Sequence, residues 1–220
     1  MKTMENTIDK NPMQKQSGDK IDTGGTPLNI EIRGSDSAVI SGYVNAVERK
    51  SKVLCYPDRP PFREIVRAGT FKKALERADC VELRLDHTRT LCDTRSGLEL
   101  HEDNIGLHAT VTVTDRETVE AAKNGQLTGW SFGFCCLHEN VQPDEGGIEL
   151  RELDDIELSE VSILSKKTPA YIATSVEVRD DGKPVENRHT EGKVSVKYTG
   201  SELEIAEAEI EILSFGGNRK

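Results

Sequence analysis

The sequence contains no apolar run approaching the ~20 residues that a membrane-crossing helix requires. Its first twenty residues, MKTMENTIDKNPMQKQSGDK, hold no apolar stretch of signal-peptide kind, so no secretory leader is expected. Basic charge is also short. Lysine and arginine number 29 against 39 acidic side chains, a formal charge of −10. Such a balance argues against a nonspecific nucleic-acid binder, which needs a basic surface to release counterions, and against docking on anionic membranes. Cysteine is sparse and odd in number: Cys55, Cys80, Cys92, Cys135 and Cys136 leave one thiol over under any full pairing and include no CxxC. Reduced, mostly buried thiols in a cytoplasm are the expectation. The His, Cys and carboxylate spacings match no standard ligand set, so neither a metal nor a cofactor is expected. No repeat of solenoid period occurs.

Hydrophobic residues make up 35% of the 220 and concentrate between about residues 30 and 178. That pattern predicts one domain over residues 29–179. Residues 1–28 read as a flexible arm, and residues 180–220 as a hydrophilic linker, DDGKPVENRHTEGK, followed by an acidic tail, SELEIAEAEIEIL. Within the domain, NIEIRG and AVISGYVNAV alternate as strands. Paired prolines between Pro57 and Pro61 predict a rigid loop. Thr70 is a candidate N-cap for a helix with Phe71, Ala74, Leu75 and Ala78 on one face. VELRLDH reads as a strand, and LELHEDNIGLHATVTV as a hairpin turning near Asp103, Asn104 and Gly106. Thr114 and Glu117 suggest a capping box for a second helix ending at Gly125. LTGWSFGFCCLH, IELRELDDIELSEVSIL and AYIATSVEV complete a strand-rich α+β set.

Three side chains stand out chemically. His87 closes an apolar strand on the face of Val81, Leu83 and Leu85 and then meets a polar turn, a setting that suits a general base. Tolerated structural histidine is the commoner use of such a position. His101 and His108 read as a hairpin pair, His138 as an edge residue, and His189 as solvated. Ser131 lies between Gly129 and Gly133, whose missing side chains leave room for a substrate backbone. The order Gly-Trp-Ser-Phe-Gly continues as strand and so is not the GxSxG elbow. Glu160 would share a face with Leu158 and Ser162 in a regular strand, among apolar neighbours. It could orient a histidine, as could Glu157 or Asp86.

The blocks AGTF, LDH, SFGF and EVSIL followed by PAY, in that order, resemble the prohead maturation proteases of tailed bacteriophages, serine proteases related in fold to herpesvirus assemblin. The likeness runs from about residue 30 to 178. It implies an assemblin-like β-rich barrel with flanking helices, His87 as base, Ser131 as nucleophile and Glu160 as the acidic member. An oxyanion site near Ser165 and Lys166 is a further implication. LDHTR and the pair Cys135–Cys136 depart from the family's usual pattern. The implied activity is endopeptidase cleavage of the scaffolding portion of the major capsid protein, and of the protease itself, inside an assembling procapsid in the host cytoplasm. Two rivals remain open: an inactive relative serving as a scaffold or capsid-assembly component, and, more distantly, a cysteine hydrolase using Cys135 or Cys136.

Overall fold

A computed structural model describes residues 28–56, 59–167, 176–178, 184–191 and 193–199. Thirteen strands and two α-helices are present among them. The strands are β1 (Leu28–Arg33), β2 (Ser37–Ala46), β3 (Leu54–Tyr56), β4 (Arg59–Val66), β5 (Glu82–Leu85), β6 (Arg89–Asp93), β7 (Leu98–Glu102), β8 (Gly106–Val113), β9 (Leu127–Pro143), β10 (Glu149–Ser165), β11 (Val176–Val178), β12 (Pro184–Glu191) and β13 (Val194–Thr199). Helix α1 (Thr70–Arg77) lies between β4 and β5, and α2 (Arg116–Lys123) between β8 and β9. No helix among the described residues is long and apolar enough to cross a membrane.

The fold is α+β and dominated by strands, in two sheets. One runs β13-β1-β2-β8-β7; the other runs β11-β12-β9-β10-β4-β3, with β5 and β6 added beside β10. Among the described residues both sheets have ends, so the closed barrel expected from the assemblin likeness is not formed. The edge of β10 away from β9 is shared between two strands. Its first half pairs with β4 and its second half with β5, both in parallel. Alternation in the sequence reports which face of a strand is buried, not which strand comes next.

The strand and hairpin patterns read from sequence match the structure over NIEIRG, AVISGYVNAV, VELRL, the β7–β8 hairpin and the long β9 and β10. Three local expectations are revised. Pro60 and Pro61 lie inside β4 rather than in a loop; pairing with β10 begins only at Phe62, so neither proline is asked for an N–H on that side. Helix α1 is capped by Gly69 in a left-handed conformation, with Thr70 as its first residue. The Glu102 carboxylate of β7 accepts from the Gly69 and Lys72 N–H groups. The cap of α2 shifts by one, with Asp115 accepting from the Thr118 N–H.

The largest difference lies beyond Arg179. The hydrophilic stretch expected to be a linker forms β12, paired antiparallel to β9, and the residues after it form β13, paired parallel to β1. Its charges do not prevent burial because they meet opposite charges inside, as shown below. The 1–27 arm, most of AYIATSVEV and the acidic SELEIAEAEIEIL tail lie outside the described residues.

Candidate active site

The sheet order β12-β9-β10-β5 assembles the sequence candidates. Phe132 and Phe134 stack on one face of β9, 5.3 Å between ring centroids, while Ser131 and Gly133 occupy the other. Opposite Ser131 stand Ser162 of β10 and His189 of β12; opposite Gly133 stand Glu160 and Asn187. Directly opposed residues in an antiparallel pair present their side chains on the same face. Ser131, Ser162 and Glu160 therefore share a surface.

A bulge produces this arrangement. Between Leu158, opposite Phe134, and Glu160, opposite Gly133, β10 carries one residue more than β9. Strict alternation would have put Leu158 and Glu160 together. The extra residue, Ser159, leaves Leu158 on the aromatic face and turns Glu160 onto the Ser131 face, the re-aiming that bulges perform. The glycine matters here too. A Cβ at position 133 would lie 3.0 Å from Glu160 Oε1 and 2.9 Å from Asn187 Oδ1. Gly133 thus makes room for the Glu160 carboxylate rather than for a substrate backbone.

His87 arrives from the turn after β5. The Asp86 carboxylate accepts from both the N–H (2.7 Å) and the hydroxyl (2.7 Å) of Ser165 at the end of β10, which pins the turn. Asp86 and His87 adopt left-handed φ values of 51° and 63°, a conformation uncommon for residues other than glycine and held only by surrounding contacts. The turn directs the imidazole over the sheet, where Nδ1–H donates to Glu160 Oε1 at 2.6 Å; both side chains are only 5% exposed. Because an ionised carboxylate can only accept, this bond fixes the proton on Nδ1 and leaves Nε2 as a lone-pair nitrogen. Nε2 is buried and has no hydrogen-bond partner among the described residues. Asp86 is therefore committed to Ser165, and Glu157, opposite Cys135, is farther along β9 from Ser131.

Ser131 is fully buried and donates its hydroxyl proton to the Arg188 carbonyl of β12 at 2.8 Å. No hydrogen bond joins Ser131 to His87 in this conformation. Two other expectations change. The backbone N–H groups of Ser165 and Lys166 are already bonded, to Asp86 and to the Gln126 carbonyl, so they are not available oxyanion donors here. Burial raises the Cys136 thiol to about 11, which disfavours the thiolate a cysteine hydrolase would need. His101 and His108 do face each other across the hairpin, His138 is exposed and bonded to Asp154, and His189 is half-buried in β12 rather than in a linker.

Sequence reasoning missed a buried charge cluster on the other side of these strands. Arg151 reaches Glu64 (3.0 Å), Glu186 (2.6 Å) and Glu139. Arg188 reaches Glu64 (2.7 Å), Glu186 (2.6 Å) and the Tyr56 hydroxyl (2.5 Å), and lies 5.1 Å from the Phe134 ring centroid. Burial works against both guanidiniums, but the glutamates prevail and hold them protonated more firmly than usual. The available signal was Arg151 next to the apolar Leu150 and Leu153 in a strand; nothing comparable marked Arg188.

No curated protein and no solved structure matches this chain. The family model of the caudovirus prohead serine proteases matches residues 27–188, most of the described sheet system and all of His87, Ser131 and Glu160, so the chain belongs to that family of phage capsid-maturation proteases.

Proposed function

We propose that this chain is a serine endopeptidase in which Ser131 is the nucleophile, His87 its general base and Glu160 the residue that orients the base. The observation that carries the reading is the buried His87–Glu160 bond of 2.6 Å, formed on the face of β9 that bears Ser131. Rotation about the Ser131 Cα–Cβ bond releases the Arg188 carbonyl and turns the hydroxyl toward Nε2. Oγ then attacks the scissile carbonyl carbon while its proton passes to Nε2. Glu160 stabilises the resulting imidazolium. The imidazolium returns the proton to the leaving amine, and water, deprotonated by the same nitrogen, hydrolyses the acyl-enzyme.

The substrates are the scaffolding portion of the major capsid protein and the chain's own terminal segments, cut within an assembling procapsid in the host cell. The family assignment supports this choice. Self-cleavage is favoured by the effective concentration of tethered segments in a closed shell. Intact-mass analysis of the chain expressed with and without Ser131→Ala tests the proposal. Self-shortening of the unsubstituted chain alone is the expected result, together with labelling at Ser131 by a serine-directed phosphonate. The rival reading, an inactive scaffold of the same fold, draws on the Ser131–Arg188 hydrogen bond. Clean binding to coat protein without cleavage or labelling would establish that rival.

A further inference from the structure

The Glu160 carboxylate has two oxygens, and only one holds His87. Oε2 accepts the hydroxyl proton of Ser162 at 2.5 Å, and Ser162 is fully buried, directly opposite Ser131 in the β9–β10 register. A bulge precedes Glu160 and a glycine faces it. Its carboxylate is therefore placed by a distorted strand in the room that the missing Gly133 side chain leaves. Such a side chain needs a bond to fix its last torsion, which is broad and roughly two-fold for a carboxylate.

We infer that Ser162 is a positioning residue for the charge relay: its hydroxyl locks the Glu160 carboxylate in the rotation that presents Oε1 to His87 Nδ1, and thereby sets the imidazole tautomer. The inference rests on the protease reading above only for its consequence in turnover; the positioning itself is a property of the resting fold. Without the Ser162 hydroxyl the carboxylate turns, the Nδ1–H bond loses its fixed acceptor, and the neutral imidazole distributes its proton between both nitrogens. Whenever the proton is on Nε2, that nitrogen cannot accept one from Ser131. The serine on β10 and the serine on β9 thus have different duties on one surface. Ser131 reacts, and Ser162 acts through Glu160 on His87.

The test uses full-length chain carrying Ser131→Ala, so that no self-cleavage intervenes, with 15N-labelled histidine. The Ser131→Ala protein is expected to show His87 as a single Nδ1–H tautomer by its ring nitrogen shifts. Adding Ser162→Ala should produce a mixture of tautomers, and adding Ser162→Thr should restore the single form. In a Glu160→Gln background Ser162→Ala should have no further effect, because the carboxylate it positions is gone. With Ser131 intact, Ser162→Ala should lower kcat on the order of 10- to 100-fold with little change in KM. If Ser162→Ala does not fold, Ser162→Cys, which keeps the volume and donates weakly, should give an intermediate tautomer mixture. An unchanged tautomer in folded Ser162→Ala or Ser162→Cys protein overturns the inference. A tautomer that responds as expected in a chain that cleaves nothing upholds it and overturns the protease reading instead.

Discussion

The two faces of β9 both bury polar groups, and they do so in opposite ways. On the aromatic face the guanidiniums of Arg151 and Arg188 are surrounded by Glu64, Glu139, Glu186 and the Tyr56 hydroxyl. On the other face the His87 imidazole has one bond, to Glu160, and its second ring nitrogen is buried without a partner among the described residues. The first arrangement saturates its donors and acceptors. The second leaves one acceptor open beside a serine. Buried polar groups are ordinarily satisfied, and in the proposed protease the open Nε2 is the atom that would receive the Ser131 proton. The comparison separates a saturated network that holds strands together from the unsaturated one to which the proposed chemistry is assigned, although both draw on β9 and β10.

The difference is broken most severely by His87→Ala. Turnover should fall about 10⁴-fold or more, while thermal unfolding moves by no more than a few degrees. His101→Ala and His138→Ala should keep most activity. Loss on His189→Ala with retention on His87→Ala would transfer the base role to the strand opposite. The next largest effect belongs to the saturated face. Glu64→Gln leaves two buried guanidiniums short of a carboxylate and should destabilise the fold by about 3–5 kcal/mol in denaturant titration, with kcat per folded molecule little changed. Equal losses of activity and stability at both positions would erase the distinction.

Acid gives a smaller and graded effect. Burial opposes ionisation of Glu186, but Arg151 and Arg188 hold its carboxyl below the usual glutamate value of 4.5. A carboxyl depressed in the folded state stabilises the fold fully above its unfolded pKa, and that contribution is lost as pH falls through the folded one. Stability measured from pH 6 downward should therefore begin to drop near 4.5 and continue below it. Glu186→Gln should remove that part of the decline. The smallest effect concerns Cys136, whose raised pKa predicts slow alkylation at pH 8 compared with the exposed Cys55 in a timed mass-spectrometric assay.

How far the sequence was legible depended on whether a side chain's role was local. The β7–β8 hairpin was readable because Asp103 and Gly106 form its turn and the alternation on each side is regular. His87 was readable as a strand-end histidine, and Glu160 as a carboxylate in an apolar strand. The bulge at Ser159 was not readable, since nothing in LSEVS signals an extra residue. Regular alternation consequently placed Leu158 beside Glu160, whereas only Ser162 keeps its face. Strand β12 was hidden for a related reason. PVENRHTE is polar by composition, yet Val185, Asn187 and Arg188 are buried, and the guanidinium of Arg188 meets the Glu64 carboxylate from a distant part of the chain. Hydropathy scores residues one at a time and cannot register such a partner. Ser162 was seen only as a face-sharing neighbour, since alternation gives the face but not which atoms bond across it.

The pairing of the earliest described strand with the latest has a consequence in time. Leu28 is matched to Val194 and Arg33 to Thr199, while β12, just before them in the chain, supplies the edge beside Ser131. On the ribosome, β1 pairs with β2 early but must wait on the order of ten seconds for β13 on its other edge at ordinary synthesis rates. During that wait β9 has no β12, the Arg188 carbonyl is not there to receive the Ser131 proton, and both sheets have a raw edge. Strand β9 is therefore covered along the Ser131 edge only once residues 186–191 have been made, and any early release or truncation ahead of residue 184 yields a molecule with that edge bare and prone to recruit a foreign strand.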